Sequence, residues 1–258
     1  MTDFDVQTLL DTVDHVATVE FSSGPRNYFS SSLIGALADT LEDLARRGAR
    51  AVMLRSQGRH FCAGADFSDG SGAACLFDET GRHLYEHAGR ILKQPLPVVV
   101  AVQGAAIGGG LGLALTGDLR VGTPGSRFIA PFGSLGLHHG FGLSVTLPWV
   151  VGEQRALDLL LTGREVRGSE AVTMGLVDRM VDENCLTEAA RDLASGIAAQ
   201  APIAVQSIRR TMRSRVAMSF AEAVAHERRE QDRHALTADH QEAIAAFNAR
   251  RRPAFGHH

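Results

Sequence analysis

The alternation of apolar and polar positions changes rhythm several times along the chain, and each change marks an element. Residues 15–22, HVATVEFS, read as a strand. Residues 30–48, SSSLIGALADTLEDLARRG, have helical periodicity, with serines placed to cap the start and Gly48 to stop the end. ARAVMLRS (49–56) is a second strand, and the loop QGRHFCAGADFSDGSGAA follows it. TGRHLYEHAGRILKQ (80–94) predicts a helix. PLPVVVAVQG (95–104) predicts a buried strand after two prolines. Residues 105–118, AAIGGGLGLALTGD, read as a buried helix, and DLRVGTPG and SRFIAPFG as short strands. Strand and helix alternating in this way imply right-handed crossovers and a mainly parallel sheet. From about residue 186 only helical segments remain: CLTEAARDLASGIAAQ, PIAVQSIRRTM, SFAEAVAHERREQDRHAL and ADHQEAIAAFNARR. The expectation is an α/β core over 1–185 with a helical region over 186–258.

Composition narrows the function. With 258 residues, 45% hydrophobic and 21% charged, the chain has the profile of an ordinary globular protein. A net charge of −3 leaves no nucleic-acid footprint. Residues 1–15 lack a signal pattern, and no apolar run approaches the ~18 residues of a membrane span. Cys62, Cys75 and Cys185 are scattered without CxxC spacing, which argues against disulfides or zinc and for a reducing, cytoplasmic setting. His257 and His258 are native or a tag remnant and carry no argument.

The glycines carry the chemistry. Glycine inside a helix costs about 0.5–1 kcal/mol relative to alanine, yet Gly108, Gly109, Gly110 and Gly112 crowd one buried segment. Tight packing explains one or two of them. A helix start after a strand also offers unpaired N–H groups and a positive dipole end. The spacing is not that of a dinucleotide loop, G-x-G-x-x-G. The loop GRHFCAGAD (58–66) is a second small-residue backbone after a parallel strand. Two such backbones supply two N–H donors to one oxygen, an oxyanion hole in which one donor is worth about 2.7–4 kcal/mol in the transition state.

FCAGADFS, PLPVVVAVQGAAIGGGLGLAL and DLRVGTPGSRF together resemble the enoyl-CoA hydratase/isomerase family, the crotonase superfamily. The resemblance continues in order through LPWVVGEQRALDLLLTGREV, SEAVTMGLVDRMV, PIAVQSIRRTM and AIAAFNARRRPAF. It implies a ββα superhelix, C-terminal helices that trimerise, a homotrimer or a hexamer of two trimers, and a coenzyme A thioester as substrate, with no permanently bound cofactor and no metal. Carried over, the thioester oxygen sits between the N–H groups of Ala65 and Gly109, where an enolate develops. Arg26 and Tyr28, in GPRNYFS, match the first CoA-contacting loop. Ala63 and Asp66 belong to the thioester loop, Asp66 as a holder of loop backbone. Arg26 also reads as a solvated loop arginine.

The chain departs from the family where acid and base are expected. In hydratases of this family, one glutamate lies two residues after the third glycine of the run, where this chain has Gly112. The other follows a proline after RF, where it has Phe132. Some isomerases use an acid in the turn before LP, where it has Gly140, and FGSLGLHHGFGLSVTLP contains no carboxylate at all. Positioning and deprotonating water needs groups within hydrogen-bond reach. Gly108, Gly112 and Phe132 instead read as pocket lining. His138 and His139 are the candidate replacements, because imidazole titrates near neutrality. The alternative is a pair that only packs. His83 and His87, at i and i+4, read as a solvated helix face, and Asp69, Asp78 and Glu79 as solvated loop acids. Cys62 reads as a small core residue. Three functions stay open: a hydratase/isomerase-type enzyme acting through an enolate; an isomerase, decarboxylase or thioester hydrolase using His138 or His139; and a non-catalytic acyl-CoA carrier.

Overall fold

A computed structural model describes residues 4–67 and 76–256. Cys75, Asp69, His257 and His258 lie outside the described residues. The main sheet has the order β1(Phe4–Leu10), β2(Val16–Ser23), β3(Ala51–Ser56), β4(Val98–Val102), β6(Leu119–Gly122), β9(Arg179–Met180). From β2 to β9 every pairing is parallel, while β1 pairs antiparallel with β2. β1 was not expected from the pattern. In FDVQTLL only Phe4, Val6 and Leu10 pack against the core, so the strand is an edge with most of its surface in solvent. Asp11 and Asp14 fold the hairpin by accepting the N–H groups of Val13 and Val16.

A second sheet stands beside the first: β5(Ala105–Ile107) and β7(Arg127–Ile129) run parallel, with β8(Glu165–Arg167) antiparallel to β7. Ala105 to Ile107 were expected as helix and are strand. Helix α3(Gly109–Thr116) starts only after Gly108, whose φ of 54° turns the chain out of the strand. α3 is entirely buried. It abuts loop 62–65 so closely that a Cβ on Gly110 would overlap the Cys62 carbonyl oxygen. Close approach, more than flexibility, accounts for that glycine.

Helix α1(Ser31–Arg46) is capped by Ser30, whose hydroxyl accepts the Leu33 N–H. It packs on α2(Leu84–Lys93). The helices α4(Leu143–Val151), α5(Glu153–Thr162) and α6(Gly168–Met174) lead to α7(Leu186–Ala198), which covers the other face of the main sheet. The two segments expected at 202–212 and 219–236 are one helix, α8(Pro202–His234), of 33 residues. No proline or glycine interrupts residues 203–234, so nothing breaks it. α9(Ala238–Asn248) ends the described fold. α8 packs on α2 and α4, so the C-terminal helices form one wall of the site. No described helix is long and apolar enough to cross a membrane.

Candidate active site

A cavity of about 470 Å³ opens between the two sheets, α2 and α8, within the range of small-molecule sites. Its first wall is backbone. Loop 62–65 is threaded into place by Cys62 N–H donating to Ala105 C=O (3.0 Å), Ile107 N–H to Cys62 C=O (3.0 Å), Ala63 N–H to Arg26 C=O (3.1 Å) and Phe29 N–H to Gly64 C=O (3.0 Å). Ala63, Gly64, Ala65, Gly108 and Gly109 all line the cavity. Gly109 is the first residue of α3, where a helix leaves N–H groups without intrahelical acceptors. Burial pushes the neighbouring Cys62 thiol up to about 12, so it is an inert core residue.

At the mouth, Arg26 and Tyr28 line the cavity, and the Arg26 guanidinium donates to the Tyr28 hydroxyl (2.9 Å). Buried Asn27 anchors this segment. Its carboxamide donates to the carbonyls of Gln57 (2.7 Å) and His60 (2.8 Å) and accepts the Ser23 N–H (2.8 Å). Asp66 is not among the lining residues.

The three positions where the resemblance leads one to expect acids, Gly112, Phe132 and Gly140, hold none. A Cβ on Gly112 would come within 2.7 Å of the Phe141 side chain. Gly112 is therefore behind Phe141 and not part of the cavity lining, contrary to expectation. Phe132 does line the cavity, with its ring over Gly108. A Cβ on Gly140 would overlap the Tyr85 hydroxyl and reach within 2.6 Å of the Gln231 amide nitrogen. Tyr85, from α2, donates its hydroxyl proton to Gln231 Oε1 (2.6 Å), from α8. Burial, with the Glu227 carboxylate, holds this phenol above its ordinary range.

His138 and His139 also depart from expectation, because neither lines the cavity although Leu137, Gly140 and Phe141 around them do. The two rings stack on each other at 4.0 Å, with His226 of α8 edge-on to His138 at 5.6 Å. Desolvation, with His138 and His226 nearby, pulls His139 down to about 4, so it is neutral at pH 7. Behind it lies Glu227, with its side chain fully buried. Its carboxylate accepts the N–H groups of Gly142 (2.7 Å) and Ser144 (2.8 Å) and the Ser144 hydroxyl (2.6 Å). Burial raises this carboxyl above its ordinary value, against the pull of those hydrogen bonds. The Ser144 oxygen in turn accepts from His139 Nε2 (2.9 Å). Glu227 thus caps the start of α4 from a residue 83 positions away and fixes the turn that carries both histidines.

His83 and His87 are buried, not solvated. His83 caps α2, accepting the Tyr85 N–H on Nδ1 (3.1 Å), and it lines the cavity. Desolvation and Arg228 pull it down to about 4. His87 lies over Gly35, between Asp78 (2.7 Å) and Arg90 (3.2 Å). Asp78 is therefore a structural anchor, also accepting from Thr80 and Arg82, and its carboxyl is held well below the usual range. Among the described residues no cluster fit to hold a metal occurs.

Tyr85, Gln231 and Glu227 were missed from sequence. The only linear signal is the i, i+4 spacing of Glu227 and Gln231 in α8, which an ordinary polar helix face shares.

The family model for enoyl-CoA hydratase/isomerase matches residues 11–258. The chain is 31% identical to a probable enoyl-CoA hydratase of Bacillus subtilis over 93% of its length and 95% of that protein. It is 32% identical to 1,2-epoxyphenylacetyl-CoA isomerase of Escherichia coli, over 89% and 90%. A crystal structure of an enoyl-CoA hydratase/isomerase from Pseudoalteromonas atlantica superposes with a TM-score of 0.87 at 30% identity, covering 97% of this chain and 99% of that one.

Proposed function

Because the chain belongs to the enoyl-CoA hydratase/isomerase family, we propose that the cavity holds the acyl arm of a coenzyme A thioester and that the N–H groups of Ala65 and Gly109 receive the thioester oxygen. The observation that carries this reading is the meeting of two backbone elements at one cavity wall. Loop 62–65 lies against the first turn of α3, with Gly109 N at 4.0 Å from where a Gly64 Cβ would stand. N–H groups aimed where charge develops stabilise an enolate without reorganisation, and the positive end of α3 adds to them. Arg26 and Tyr28 at the mouth contact the CoA moiety, with charge-assisted hydrogen bonds to phosphate. Exposed Trp149, Ile203, Ile208, Met212 and Met218 on and beside α8 support assembly into a trimer.

The reaction is an enolate-level rearrangement such as double-bond isomerisation, not two-carboxylate hydration. In it a proton leaves the α-carbon to Asp232, the one carboxylate among the described lining residues, and returns to the γ-carbon. Phe141, Phe132 and the Tyr85–Gln231 pair occupy the places of the acids, and none of them deprotonates water at neutral pH. A second reading, acyl-CoA binding without turnover, is favoured by one observation: His138 and His139 do not line the cavity.

The test follows enoyl-thioester absorbance with 2-enoyl- and 3-enoyl-CoA esters of several lengths, alongside calorimetric binding. Isomerisation without appreciable hydration is the expected result. Hydration at the rate of two-glutamate relatives overturns the reaction assignment. Tight binding with no turnover of any ester establishes the carrier reading. His138→Gln and His139→Gln are expected to lower turnover by less than tenfold, since both act through the turn.

A further inference from the structure

Tyr85 and His83 stand two residues apart at the start of α2, and both reach the cavity. Their hydrogen-bonding capacity is almost, but not fully, used within the protein. Gln231 sets the direction: its Nε2 donates to the His138 carbonyl oxygen (3.0 Å), so its Oε1 faces Tyr85 and accepts the phenolic proton. A phenol oxygen has one proton and two lone pairs. The proton goes to Gln231, which leaves the oxygen with acceptor capacity.

His83 shows the complementary remainder. Its Nδ1 accepts the Tyr85 N–H, so the neutral ring carries its proton on Nε2. No described residue accepts that proton, although His83 is only 4% exposed. The wall therefore offers one acceptor and one donor on rings whose centres lie 4.6 Å apart. Both are uncharged at pH 7, because burial holds the imidazole neutral and the phenol protonated.

An alcohol donates and accepts through a single oxygen and so matches both remainders. Arg228 and Asp232 also line this wall beside the two rings. A carboxylate has no proton for Tyr85 and is repelled by Asp232 and by Glu227 behind the wall. An ammonium has no lone pair for His83 and is repelled by Arg228. Phe141 packs edge-to-face on Tyr85 (6.2 Å between centroids) and also lies against Gly109 and Gly112, which sets a group bound by Tyr85 apart from the thioester carbonyl. We infer that Tyr85 and His83 form a subsite for a hydroxyl on the acyl chain, so that the substrate is the coenzyme A thioester of a hydroxylated acyl group, with the hydroxyl beyond the carbons that flank the carbonyl. The inference rests on the thioester reading given above.

Calorimetry with hexanoyl-CoA and its hydroxylated isomers, from the third to the sixth carbon, tests it. One of the outer isomers is expected to bind roughly three- to tenfold more tightly than hexanoyl-CoA, the scale of one hydrogen bond. Tyr85→Phe is expected to remove that preference, read as the ratio of the affinities of the hydroxylated and unhydroxylated esters in the same variant. His83→Asn keeps a side-chain cap for α2 but no Nε2 proton, and is expected to reduce the preference as well. Melting curves of both variants separate loss of preference from loss of fold. Equal binding of all isomers by the native protein overturns the subsite alone. Retention of the preference in both folded variants does the same. Failure of every ester, hexanoyl-CoA included, to bind overturns the thioester reading and the subsite with it.

Discussion

The cavity has two walls made in different ways. On the sheet side, loop 62–65 and the start of α3 present bare backbone, held by main-chain hydrogen bonds between segments that recur in order along the chain. On the helical side, Tyr85 from α2, Gln231 from α8 and Phe141 from the turn 138–144 line the cavity, backed by Glu227, in an arrangement joined across as many as 146 positions. The first wall is rigid because its groups belong to the sheet framework. The second is an assembly of side chains, each oriented by another. Activities that share an oxyanion site can thus differ through the helical wall alone.

The sharpest way to break the sheet-side wall is Gly110→Ala. The new methyl overlaps the Cys62 carbonyl oxygen, and backbone on both sides leaves nowhere to move. A destabilisation of about 3 kcal/mol or more is expected in urea denaturation, above the usual range for overpacking because no side chain yields. Alanine at this position with unchanged stability would show that the wall is far softer than its packing implies.

Glu227→Ala tests the helical wall. It leaves the Gly142 and Ser144 N–H groups buried without an acceptor, at a cost of about 2–3 kcal/mol. Thioester binding should weaken together with stability, since Gly140 and Phe141 of this turn line the cavity. Glu227→Gln keeps one acceptor oxygen and should cost about half as much. Equal effects from both variants would mean that charge at the start of α4 matters more than hydrogen bonding.

The smallest effect is a pH dependence on the helical side. His139 has a folded value of about 4 against an ordinary 6.5. Protons therefore bind the unfolded chain more readily, and the stability that His139 supports is complete above about pH 6.5 and lost as pH falls to about 4. Over that window His139 accounts for on the order of 2 kcal/mol. Glu227, raised by burial, acts in the opposite sense, and His83 in the same sense. The measurement is therefore the difference between native protein and His139→Gln, in which those contributions cancel. A variant with the same acid dependence as the native protein would show that His139 is solvated.

What the sequence disclosed follows the same division. Gly108 to Gly110 and FCAGAD are local signals, because a close approach of backbone demands small residues in a short stretch, and so the sheet-side wall was legible. The parallel sheet followed from the strand–helix alternation. The helical wall was not legible. Nothing near Tyr85 in the chain announces Gln231, and Glu227 looks like any helix carboxylate until the fold brings Gly142 to it. His138 and His139 are titratable residues in a turn that borders the cavity, but a one-dimensional reading does not say which side of a turn faces inward. β1 was missed because an edge strand needs little apolar surface, and the unity of α8 because a change of composition resembles a break.

The overlap between the Tyr85 hydroxyl and any side chain at position 140 has a consequence for ancestry as well as chemistry. The two positions exclude each other: an acid on the turn and a tyrosine on α2 do not share this backbone. A lineage that moves from one arrangement to the other passes through glycine at 140 or a smaller residue at 85, so the order of substitutions is constrained. In variants made in the laboratory the pair will behave as a single two-letter character, with Gly140→Asp harmful when made alone and tolerated when combined with Tyr85→Ala.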